Sequence, residues 1–206
     1  MKHLVLAALF SMILGGGTMT TISVPKISNF ESALVANGRS PEIPEAADAY
    51  GWLIGSWDLE CYDYFPDGSK RHTQGEVHFA WVLEGRAVQD IWIMPRRSQR
   101  PPQGDTPRNT YGTTLRAWDP AIQAWRVMWI NPASGHREEL IGRWQGKDVV
   151  QVGERPNGTP IRWMFTEITP NSFHWTGEVL DVDGKTWKME AEFRATRAHG
   201  ENDDKR

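Results

Sequence analysis

The chain has 206 residues, a formal net charge of -3 at pH 7, 39% hydrophobic and 24% charged residues, which suits one globular unit with a buried core. That charge is too small to favour a polyanionic or membrane-surface partner. The densest basic stretch, Arg96, Arg97, Arg100 and Arg108, lies in a Pro-rich segment without an aromatic stacking platform, which disfavours nucleic acid. A single cysteine, Cys61, excludes an intramolecular disulfide and a cysteine-rich zinc site, and its parity with Trp57 and Leu59 reads as a small core residue.

Lys2 and His3 precede the apolar run Leu4 to Leu14 and then Gly15, Gly16 and Gly17, the layout of a secretory signal over residues 1–20. The run is too short for a stable membrane anchor. Export is the favoured expectation, and a start at Met19 instead leaves a cytoplasmic protein. Residues 21–51 read as a helical lid. Ser28 to Glu31 has capping-box spacing, with Phe30, Leu34 and Val35 as an apolar stripe before Gly38, and Pro44 starts a second short helix through Tyr50 that Gly51 stops.

From Gly55 the period changes to two. Strands are expected over Ser56–Phe65, Arg71–Trp81, Gly85–Met94, Tyr111–Trp118, Trp125–Asn131, Arg137–Trp144, Asp148–Glu154, Ile161–Ile168, Ser172–Val179 and Thr186–Arg197. Their connectors carry turn chemistry: Pro66-Asp67-Gly68, Asp119-Pro120, Gly146-Lys147, Asn157-Gly158, Pro170-Asn171 and Asp183-Gly184. Pro95 to Arg108 reads as a long mobile loop and 198–206 as a disordered tail. Short connections force antiparallel neighbours and closure removes the edges. The expected fold is therefore all-β, a single antiparallel up-and-down barrel of about ten strands over 52–197 with short N-terminal helices. Most of the eleven tryptophans fall in these runs, which points to an aromatic-lined interior.

Gly55-Ser56-Trp57 at the head of the first strand resembles the Gly-x-Trp signature of the lipocalin and calycin group. Together with Trp52 to Trp57, Tyr111 to Arg116 and Asp183 to Trp187, the chain from about residue 45 to 197 is similar to uncharacterised bacterial lipocalin-like proteins of the DUF1579 type. The resemblance implies a calycin barrel in which Trp57 closes one end beneath an arginine of the last strand. Apolar parity at Trp187, Met189, Ala191, Phe193 and Ala195 makes Arg197 that arginine. It supplies no reaction.

Polar residues on inward parities are the functional candidates. Asp90 shares a face with Arg86 and Trp92, so an Arg86–Asp90 ion pair and a polar ligand anchor are both open. Arg116 is an anion clamp for a carboxylate or phosphate, or the partner of Glu167. Tyr111, Trp129, Trp163 and Trp175 complete the candidate ligand-binding set with Asp90, Trp92 and Arg116. His78 with Glu76, and His174 with Glu178, are acid/base candidates if their faces point inward and solvated pairs if outward. No His-x-His, Cys-x-x-Cys, P-loop, Gly-x-Ser-x-Gly or dinucleotide fingerprint occurs, so neither metal nor cofactor is expected. Haem held by His174 is a side reading implied by other lipocalin-like barrels.

The leading expectation is a small-molecule binder for an apolar or aromatic ligand. A cofactor-free lyase, isomerase or hydratase in the same cavity is the alternative, and a filled structural barrel the third. Oligomeric state is not legible.

Overall fold

The structure, a computed structural model, describes residues 28–100 and 109–198; the leader, the rest of the Pro95–Arg108 loop and nearly all of the tail lie outside the described residues. One short helix, α1 (Ser28–Leu34), precedes ten strands. These are β1 (Gly55–Tyr64), β2 (Lys70–Val82), β3 (Ala87–Met94), β4 (Thr110–Asp119) and β5 (Ala124–Asn131), then β6 (His136–Gln145), β7 (Asp148–Glu154), β8 (Pro160–Thr166), β9 (Ser172–Leu180) and β10 (Trp187–Arg197). Each strand pairs antiparallel with its sequence neighbours, and β1 pairs with β10 to close the barrel. Turn residues set the hairpins: the Asp67 carboxylate accepts the Ser69 N–H, and Asp183 accepts those of Lys185 and Thr186.

One end of the barrel is packed solid. Trp57, Tyr50, Leu53 and Phe165 are fully buried there, and Phe173 and Trp125 nearly so. A ring of this size takes about 150–250 Å² out of water, worth roughly 4–6 kcal/mol before entropy is counted. Trp57 sits at the seam opposite Arg197, whose guanidinium carbon lies 4.0 Å above the indole. The same guanidinium donates to the carbonyls of Ile54, Trp52 and Pro170. Gly55 takes φ +119°, a conformation that L side chains rarely adopt, and a Cβ there would also stand 3.0 Å from Arg197 Nη1.

The N-terminal segment departs from expectation in two places. α1 stops at Leu34 rather than Gly38 because Val35 pairs with Val82, and the Ala36 N–H donates to Trp81 O at 2.8 Å. The second helix is two 3₁₀ turns, Glu45–Ala47 and Gly51–Leu53. Asp48 accepts the N–H groups of Tyr50 and Gly51 with its side chain, at 3.3 and 2.7 Å, and so competes with the helical ladder. Gly51 therefore begins a turn instead of ending one. The second turn drives Tyr50 and Leu53 into the barrel end as a plug.

A third departure is in β10. The register with β9 shifts between Met189 and Ala191, a bulge that breaks strict alternation. Ala191, Phe193, Ala195 and Arg197 follow the inward parity, but Trp187 lies under Arg162 on the outer wall, 4.4 Å from ring to guanidinium.

Candidate functional site

The other half of the barrel is hollow. A cavity of about 350 Å³ is walled by Trp92, Trp129, Trp163, Trp175 and Phe193. Its size and apolar lining fit a small organic molecule. Trp175 stacks on Phe193 with centroids 4.6 Å apart and planes 9° apart, and Trp92 and Trp163 meet Trp175 at 6.0 and 5.6 Å. Two inward glycines let indoles lie against the wall: a Cβ on Gly112 would stand 2.4 Å from Trp129, and one on Gly177 would stand 2.7 Å from Trp175. The indoles at 92, 129, 163 and 175 named from parity all line this space.

At the inner end lies a buried ion pair. Arg116 Nη1 donates to Asp90 Oδ2 at 2.5 Å, with both side chains at most 1% exposed, and the Thr114 N–H donates to Asp90 Oδ1 at 2.6 Å. Burial pushes the Asp90 carboxyl up, while Arg116, the Thr114 N–H and the Trp92 indole pull it back. The Arg116 guanidinium also lies 5.1 to 5.7 Å over the rings of Tyr50, Phe79 and Phe165. Its Nε is buried without a hydrogen-bond partner in the protein. Tyr50 donates to Gln151 Oε1 at 3.1 Å, and burial pushes its hydroxyl pKa well up. A polar layer thus separates plug from cavity.

This overturns the two pairings expected for these residues. Arg86 is exposed and donates to Glu42, because it sits in the turn before β3 and not in the wall. Glu167 lies in the turn after β8 and faces Arg194, so it does not reach Arg116.

The rim carries a second network. Arg155 makes a bidentate pair with Glu190 at 3.0 and 2.6 Å and donates to Glu138 at 3.2 Å. The Glu190 carboxylate raises the Arg155 pKa above its ordinary value. His136 Nε2 stands 2.7 Å from Glu138 Oε1. Asp63, also at the rim, accepts from Nε and Nη2 of Arg71 through Oδ2. Glu138 shares parity with the core residue Leu140, a signal that was readable. Glu190 had none, since only the β10 bulge turns it inward. Phe193, Thr114, Arg155 and His136 were likewise missed as lining residues, although Thr114 shares the parity of Arg116.

The remaining candidates stand on the outer wall. Tyr111 is 44% exposed, with Arg100 5.1 Å over its ring, so it does not line the cavity. His78 Nδ1 is 2.8 Å from Ser56 Oγ, and Arg97 donates to His78 Nε2 at 3.0 Å and to Glu76 at 2.6 Å. With Nε2 accepting, the ring proton sits on Nδ1 and is given to Ser56, so the ring is not free to act as its base. Outward parity, not chemistry, decides this pair. His174 Nε2 is tied to Glu192 at 2.6 Å, and Glu178 is held by Arg162 at 2.5 Å, so His174 and Glu178 do not pair. His174 also faces away from the interior, the wrong side for holding a haem there. Cys61 is buried and its thiol pKa is pushed well up by burial, which leaves it unreactive at neutral pH.

Neither a protein-family model nor a curated protein matches the chain. Among solved structures it is similar to the crystal structure of Rv2717c from M. tuberculosis, with a TM-score of 0.53 and 15% identity, over 76% of this chain and 99% of that one. That likeness shows a shared β-barrel fold and no more. Weaker matches are the S-type phycobiliprotein lyase CPES from Guillardia theta (TM-score 0.44, 8% identity, 73% and 91% of the two chains) and a redesigned beta barrel, b11L5F_LGL (TM-score 0.39, 13% identity, 76% and 100%).

Proposed function

We propose that the protein binds a small apolar or aromatic molecule in the open half of its barrel. The observation that carries this reading is the 350 Å³ cavity walled by four indoles and Phe193, with the buried Asp90–Arg116 pair at its inner end. Burial against the rings supplies affinity, and the few polar groups supply orientation. Titration with a panel of lipids and aromatic compounds, read by tryptophan quenching and thermal unfolding, tests it. A true ligand at a hundredfold excess over Kd is expected to raise stability by about 2.7 kcal/mol. A panel in which nothing quenches and nothing shifts the transition overturns the reading.

One observation favours a second reading, a cofactor-free enzyme. His136 and Glu138 form a histidine–carboxylate pair at the cavity rim, where a bound molecule would meet them. Turnover of a bound carbonyl compound that is lost in His136→Gln while binding persists would establish it.

A further inference from the structure

Resting on the binding reading, we propose that the cavity selects an uncharged ligand whose inner end is a hydrogen-bond acceptor, an aromatic ketone or amide, and discriminates against carboxylates and phosphates.

Arg116 is the only cation at the inner end among the described lining residues, and Asp90 already cancels its charge at 2.5 Å. A carboxylate entering there would set two anions on one guanidinium in a site with almost no water access, and its own desolvation would go unrepaid. A neutral acceptor meets no such penalty. It can accept from the Arg116 guanidinium, which lines the cavity and gives Asp90 only Nη1, while the buried Nε–H beside it has no partner in the protein.

The rim gives no help to an anion either. Asp63 is paired with Arg71, and Arg155 is shared between Glu190 and Glu138. Over the lining groups and these partners, four carboxylates (Asp63, Asp90, Glu138 and Glu190) stand against three guanidiniums (Arg71, Arg116 and Arg155). The carboxylates therefore outnumber the guanidiniums by one. An anionic head group thus meets a net negative rim and, at the inner end, a guanidinium whose charge is already cancelled.

The test is a matched trio built on the aromatic body that binds best in the panel above; on naphthalene these are 2-acetylnaphthalene, 2-naphthoate and 2-ethylnaphthalene, measured by calorimetry at pH 7. The acetyl compound is expected to bind at least about tenfold tighter than either of the others, one hydrogen bond to a charged donor being worth that much. Arg116→Lys keeps a cation beside Asp90 but removes the guanidinium fork, Nε included, and should bring the acetyl-to-ethyl ratio towards one. Asp90→Asn frees the guanidinium and should raise naphthoate affinity by about tenfold or more. Far-UV circular dichroism checks that each variant is folded, and the wild-type ratios alone already decide. Naphthoate binding as tightly as the acetyl compound would overturn this inference and leave the binding reading standing. If no compound in the panel binds, the binding reading itself falls.

Discussion

At Arg197 three backbone carbonyls, those of Trp52, Ile54 and Pro170, converge on one guanidinium that also covers the Trp57 ring. Replacing it by methionine keeps the stem but strips these hydrogen bonds and the cation–π contact. Arg197→Met is expected to lose about 2–4 kcal/mol in urea unfolding, and a loss under about 0.5 kcal/mol would show that the contacts are worth little. This pair was legible because a short motif and strand parity each pointed to one residue. The partner of Arg116 was not. Parity assigns a face but not the neighbour across the wall, and on that basis Asp90 goes with Arg86 and Arg116 with Glu167. Position in the fold settles it: Arg86 and Glu167 fall in turns, while Asp90 lies one strand away from Arg116 in the wall. The histidines at 78 and 174 failed for a related reason. A polar stripe on a barrel strand reads the same whether it faces ligand or solvent.

The strands themselves were readable nearly to their ends, because a half-buried strand enforces period two and its turns demand Gly, Asn or Asp at fixed places. What alternation hides is a bulge. One inserted residue in β10 sends Trp187 outward and Glu190 to the cavity rim, so half of the rim network was invisible from spacing alone. The plug was misread because Asp48 captures backbone donors locally, an effect that outweighs helical pattern in so short a segment. At this scale Gly177 in β9 matters most for the cavity. A methyl group there forces the Trp175 ring, 2.7 Å away, into the open space. Gly177→Ala should destabilise the fold by about 1–3 kcal/mol, shift tryptophan emission and weaken ligand binding. Unchanged emission together with unchanged affinity would mean that the ring is not held against the wall.

Across the whole molecule, acid is the expected weak point. The Tyr64 hydroxyl, together with His174, holds the Glu192 carboxyl below its ordinary range against burial, and the Thr186 hydroxyl with backbone N–H groups lowers the Asp183 pKa to about 2. A carboxyl whose pKa is lower in the folded state adds stability that is complete above the ordinary carboxylate range, near pH 4 to 4.5. That stability is lost as pH falls through the folded value. Urea unfolding should therefore show a plateau from about pH 7 to 5 and a decline below about pH 4, shallower in Glu192→Gln; stability rising towards pH 3 would contradict this. The barrel topology has a kinetic consequence as well. Nine of the ten strand pairings join sequence neighbours and can zip up as successive hairpins, whereas β1 and β10 must meet from opposite ends of the barrel segment. Until that joint forms, the sheet has two bare edges able to pair with other chains, so the closing step sets both the folding rate and the exposure to aggregation. The Trp57–Arg197 clasp then acts as a latch on a nearly finished ribbon.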